Sequence, residues 1–121
     1  MITKSSFTTN SSSTSYIVAF SNKKNAEGEL CAQDFIELLE MVSFQSDDND
    51  VETIGKDRNI QKIIDANWYD NEEKQDVIKK IQSVKDNLEV ADIRISYHAD
   101  AINKIFDILV KNGDIVIIDK E

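Results

Sequence analysis

The chain has 121 residues, 40% of them hydrophobic and 31% charged, with 23 acidic against 14 basic side chains and a net charge of −9. A chain of this length fits one domain that buries about two-thirds of its unfolded surface, so it requires neither a disulfide nor a metal staple. The charge disfavours nucleic acid and anionic lipid, whose phosphates are met by clustered Lys and Arg; the arginines are Arg58 and Arg94 alone, and no apolar run approaches the ~20 residues that span a bilayer.

The chain opens on a hydroxyl-rich segment. Thr3, Ser5, Ser6, Thr8, Thr9 and Asn10 lead into the run Ser11 to Ser15, with Thr14 inside it. Such side chains hydrogen-bond their own backbone and favour turns over ladders. Residues 1–15 are therefore expected to form a loop or arm, with Phe7 as an anchor, ahead of a globular part at 16–121. Met1 to Ser6 carries one lysine and no apolar core behind it, so a signal peptide is not expected and the cytoplasm is the expected location. Tyr16-Ile17-Val18-Ala19-Phe20 is apolar on both alternating faces, as in a strand buried on both sides. Ser21 to Gly28 then makes a polar connection.

Cys31 is the sole cysteine, which excludes an internal disulfide and suits a reducing compartment. It reads as a small apolar residue on a helix face. Residues 31–44 read as that helix, because Phe35, Leu38, Leu39 and Val42 recur at helical spacing while Glu37 and Glu40 turn outward. Ser46-Asp47-Asp48-Asn49-Asp50 reads as an acidic loop. Gly55 and Asp57 introduce a short second helix carrying Ile60, Ile63 and Ile64, with Trp68 and Tyr69 after it. Asp70 and Glu73 have the spacing of a capping box. Behind them Val77, Ile81, Val84 and Leu88 form one stripe of a third helix, reaching to about residue 87.

In the last third, Ile93, Ile95 and Tyr97 alternate with Arg94, Ser96 and His98, the period of a strand with one buried face. Asp100 is placed as a helix N-cap. Ile102, Ile105, Phe106 and Leu109 make the apolar stripe of the helix, and Lys111-Asn112-Gly113 closes it. Ile115 to Ile118 is a short, fully apolar strand. The expected fold is a single α+β domain in the order β-α-α-α-β-α-β, with a sheet of about three strands, about four helices and a C-terminal βαβ unit. Residues 16–20 and 115–118 take inner positions and 93–97 an edge.

No stretch assembles a catalytic set. The serine run precedes a strand instead of opening a helix, and it lacks the glycines and lysine of a P-loop. Asp47, Asp48, Asn49, Asp50 and Glu52 could attract Ca²⁺, yet they lack the alternate ligands, mid-loop glycine and distal Glu of an EF-hand. His98, the only histidine, stands beside Asp100 where a strand meets a helix and could act as a general base; no nucleophile or second acid lies near it in sequence, and Cys31 is far away. No metal or cofactor site is expected. Trp68 and Tyr69 fit a binding anchor, since aromatics dominate interface hot spots, with burial between two helices as the alternative.

The segment Ser6-Phe7-Thr8-Thr9-Asn10-Ser11-Ser12-Ser13-Thr14-Ser15-Tyr16-Ile17-Val18 resembles an N-terminal signature of small phage and mobile-element proteins of unassigned function. In that signature an aromatic residue and Asn precede a serine run, and an aromatic-aliphatic strand follows. The resemblance transfers no functional residue. It implies a phage or mobile-element origin, and short acidic phage proteins without catalytic motifs are often inhibitors of host machinery, including anti-CRISPR and other anti-defence proteins. The expected function is a non-enzymatic protein that binds and inhibits or adapts a host protein. Asp47, Asp48, Asp50 and Glu52 would meet a basic surface on that partner, with Trp68 and Tyr69 beside them. Two alternatives are a nucleotide or small-ligand binding protein or enzyme, with the serine-rich loop and His98 near its site, and a phage structural component.

Deleting residues 1–12 is expected to change the unfolding free energy by less than about 0.5 kcal/mol, because a hydroxyl-rich segment has little apolar area to bury. Urea denaturation of the full and truncated chains measures this. Unfolding of the truncated chain would make the segment an integral part of the fold.

Overall fold

In the computed structural model, which describes residues 13–21, 31–43, 49–67 and 70–120, four strands and four helices follow one another as β-α-β-α-α-β-α-β. Strand β1 (Ser13–Phe20) leads to α1 (Ala32–Val42) and β2 (Asp50–Ile54). Helices α2 (Lys56–Asp65) and α3 (Asn71–Gln82) intervene before β3 (Glu89–Ser96), and α4 (Asp100–Lys111) returns the chain to β4 (Ile115–Lys120). The sheet order is β2-β3-β1-β4, with every neighbouring pair antiparallel. The class is α+β as expected, with four strands in place of three. With α2 and α3 set aside, this connectivity and strand order are those of the split βαβ, or ferredoxin-like, arrangement. Helix α1 joins β1 to β2 across β3, and α4 joins β3 to β4 across β1.

The fourth strand is β2. Its Asp50 and Glu52 continue the acidic run, which hides the apolar pair Val51 and Ile54 that packs on the core. The expected C-terminal βαβ unit exists in split form, because β1 lies between the two parallel strands. Strand β1 is inner, as expected for residues 16–20, whereas the other two positions are exchanged: β3 is inner, and the apolar β4 is an edge. Alternation misleads for β3 because its second face is also covered, so that Asp92 and Ser96 are buried. A buried polar residue with a partner has the same sequence signature as a solvated one.

Strand β1 starts earlier than the serine run suggests. Ser13, Thr14 and Ser15 pair with Ser96, Ile95 and Arg94. Tyr97 falls past the end of β3 and is exposed. Helix α3 stops at Gln82, not near residue 87; the Ser83 hydroxyl donates to the Lys80 carbonyl at 2.7 Å, a local bond that competes with helix continuation. The expected caps divide in the same way. The Asp70 carboxylate accepts from the Glu73 N–H at 2.8 Å. Asp100 is the first helical residue, one past the N-cap position held by Ala99. Gly113, at φ +82°, ends α4 as read. Its N–H reaches the Val110 carbonyl at 3.1 Å, and the Asp114 N–H reaches Leu109 at 2.9 Å, the paired bonds of a Schellman motif. Cys31 occupies the N-cap position of α1 instead of a helix face, buried, with its thiol donating to Asp34 Oδ2 at 3.1 Å.

Two apolar layers hold the sheet. On one face Val18, Phe20, Ile93 and Ile95 meet Phe35 and Leu39 of α1 and Phe106 and Leu109 of α4. On the other, Ile17 and Val90 meet Ile63 of α2 and Val77 and Ile81 of α3. Phe106 is 3% exposed, and its ring centroid lies 4.7 Å from that of Tyr16 and 5.7 Å from that of Phe35. Phe106→Ala is therefore expected to cost ~3–5 kcal/mol through lost burial and a residual cavity. A loss below about 1 kcal/mol in urea denaturation would place the helix elsewhere than on the sheet.

Candidate functional site

The two edges of the sheet are finished differently. At the β2 edge, Glu52 is an extra residue between the pairs Val51–Ile93 and Thr53–Asp92. Asp50, opposite Arg94 in the register, receives a forked contact from the guanidinium: Nε to Oδ1 at 3.0 Å and Nη2 to Oδ2 at 2.5 Å. Arg94 Nε also lies 3.3 Å from Glu52 Oε1. Lys62 reaches down from α2 to Glu52 at 2.7 Å and to Asp92 at 2.5 Å. Two cations thus hold three carboxylates against the sheet. Burial alone would lower the Lys62 ammonium, but the hydrogen bonds and charges of Asp92 and Glu52 outweigh it and hold the group above its ordinary value.

Two of the carboxylates expected to meet a partner, Asp50 and Glu52, are therefore engaged within the chain. The other expected contact residues, Asp47, Asp48, Trp68 and Tyr69, lie outside the described residues.

The β4 edge carries no such charges along its apolar run. Ile118 is skipped in the ladder, since Val18 pairs with Ile117 and Ile17 with Asp119. Val116 is 53% exposed and Ile117 38%. Beside them, on the face shared with α3, runs a groove of about 580 Å³. Ala19, Val116 and Ile118 come from the sheet, Val84 and Leu88 from the turns after α3, and Lys80 and Lys85 add two ammonium groups; among the described residues, no Asp or Glu lines it. The turns are fixed by Lys56, whose ammonium donates to the Val84 carbonyl and stands 3.5 Å from Asp86. The Leu88 N–H closes on the Lys85 carbonyl at 3.0 Å. Sequence reasoning missed this groove because Val84 and Leu88 fit a helical stripe and Ile115 to Ile118 fit an inner strand. The signal in the sequence was Lys79-Lys80 and Lys85 bracketing that stripe in an acidic chain.

His98 lies at the opposite end of β1, where Ser13 pairs with Ser96. Ser96 organises this end: its N–H donates to Asn49 Oδ1 at 2.8 Å, its hydroxyl accepts from the His98 N–H at 3.1 Å, and its carbonyl accepts from Asn103 Nδ2 at 2.8 Å. These bonds hold backbone, and His98 and Asp100 are both exposed. Of the serine-rich run, residues 13–15 are strand and the rest lies outside the described residues. Among the described residues, no group of three or more His, Cys, Asp or Glu could hold a metal ion, and no helix is long and apolar enough to cross a membrane.

The Lys62 cluster predicts an alkaline signature. A lysine raised above its unfolded value, here 10.5, contributes its stability in full below that value and loses it as pH rises through the folded one. The Tm advantage of the wild type over Lys62→Met should therefore hold below about pH 10.5 and shrink as pH rises beyond it. Tyr16 is also raised, by burial first and then by Asp107 and Tyr97 against an opposing hydrogen bond from Thr14; its alkaline loss is common to both chains and cancels. A gap that stays constant across the range would remove Lys62 from the ion cluster. No protein-family model, no curated protein and no solved structure matches this chain.

Proposed function

We propose that this chain is a non-enzymatic binding protein that occupies a surface of a partner protein, as an inhibitor or adaptor, through the β4 edge of its sheet. The supporting observation is the contrast between the edges. An edge strand offers a row of N–H and C=O groups to another chain, and charges or bulges normally blunt it. The β2 edge has both a bulge and five paired charges. The β4 edge has a bulge and a run of four apolar residues, two of them exposed. Strand addition to such an edge draws affinity from main-chain bonds and specificity from alternate side chains. The net charge of −9 adds long-range steering toward a basic partner, with carboxylates setting the encounter and β4 making the contact. The mobile-element origin implied by the N-terminal signature makes that partner a host protein, and anti-defence inhibition is the activity class this reading favours.

The test replaces Val116 and Ile117 together by Lys. Both side chains are exposed, so circular dichroism and Tm should stay close to wild type. Capture of the partner from a bacterial lysate, identified by mass spectrometry, should be lost. On-rates to that partner should fall as salt rises, because the Debye length shrinks from ~10 Å at 0.1 M to ~3 Å at 1 M. His98→Ala should retain capture. Undiminished capture by the Val116→Lys, Ile117→Lys chain would remove β4 from the interface, and salt-independent on-rates would remove the steering.

A further inference from the structure

We propose that the groove between α3 and β4 binds a small amphipathic anion, an unbranched aliphatic chain ending in a carboxylate. Its volume of about 580 Å³ falls within the ~300–1,000 Å³ of small-molecule sites. Among the described residues the walls are mainly aliphatic, with Ala19, Val84, Leu88, Val116 and Ile118 and no aromatic platform for a base. They suit a flexible hydrocarbon, which gains by leaving water and needs no hydrogen bonds.

Charge selects the head group. On a chain of net charge −9, the described residues that line this groove include two lysines and no carboxylate. Lys80 also pairs with Asp76 at 3.2 Å, but their side chains are 50% and 67% exposed. Such a pair is weak in water, and the ammonium has further donors for a second anion. Lys85 is exposed at the same mouth. The wall that carries Leu88 is tied down by Lys56 at Val84 and Asp86, so the site is formed before the ligand arrives.

The proposal goes beyond the partner reading and needs no protein partner for its test, so either can fail alone. Decanoate titrated into the full chain by calorimetry should bind saturably, with amide shifts at Ala19, Leu88 and Val116 in a ¹H–¹⁵N correlation spectrum. Octanoate should bind roughly fifteenfold more weakly, each buried methylene being worth about fourfold. Lys80→Gln with Lys85→Gln, both surface changes, should weaken decanoate about three- to tenfold. Decyltrimethylammonium should bind far more weakly than decanoate. Equal binding of that cation, an undiminished affinity in the double variant, or shifts located elsewhere would overturn the proposal. So would a dimer by sedimentation whose concentration-dependent shifts cluster at Val116 and Ile117, which would give the surface to a second copy of the chain.

Discussion

Asn59 is 1% exposed, and its carboxamide donates to the carbonyls of Thr53, Gly55 and Val90 at 3.3, 2.7 and 3.3 Å. One side chain thereby ties the end of β2, the turn into α2 and the start of β3. The Gly55 N–H adds a bond to the Val90 carbonyl at 2.8 Å, extending the β2–β3 ladder one step past Ile54. These bonds close the long excursion of residues 55–88 at its base, where a short hairpin turn would otherwise join the strands. Gly55, at φ +121°, turns the chain out of the sheet in a conformation that a Cβ would penalise. The Val90 and Gly55 carbonyls also accept backbone N–H bonds from Gly55 and Asn59, so an apolar residue at position 59 would remove the side-chain tie between the three segments and leave the backbone bonds at its base.

The anchoring of that excursion decides what the second face of the sheet can carry. With α2 and α3 laid over it, Ile17 and Val90 become core, and Lys62 is delivered above Asp92 and Glu52. Replacing a semi-buried ion cluster with apolar residues is often neutral for stability. A physical role beyond stability is register. Asp50 stands opposite Arg94, and a slip by one residue would turn these charges toward Phe35 and Leu39. The bulge at Glu52 brings a second carboxylate to the same guanidinium.

A net charge of −9 is therefore a poor guide to where this protein makes contact. Part of the acidity is held against the sheet, paired with Lys62 and Arg94. The β4 edge, where Val116 and Ile117 are exposed, lies beside a groove to which Lys80 and Lys85 bring positive charge. Net charge governs encounter at long range, whereas short-range contact depends on which groups remain unpaired and dry.

Much of the fold was legible along the chain. The amphipathic stripes of α1, α2, α3 and α4, the cap at Asp70, the stop at Gly113 and three of the four strands follow from local periodicity and capping chemistry, which depend on neighbours within a few residues. Strand β2 was not legible, because five residues interrupted by Asp and Glu become a strand only when β3 supplies the ladder and α2 the counter-charge. The inner position of β1 was legible, but the edge and inner positions of β4 and β3 were not. Apolarity at every position of Ile115 to Ile118 reports how many sides avoid water in an ordinary protein, and here it marks an edge with one side left open. The groove beside it arises from turns after α3, a strand from the far end of the chain, and an ammonium tether from Lys56. Local sequence determined which segments are helix or strand. Tertiary structure decided which strand is exposed and where charges meet, because those outcomes depend on residues that only the fold brings together.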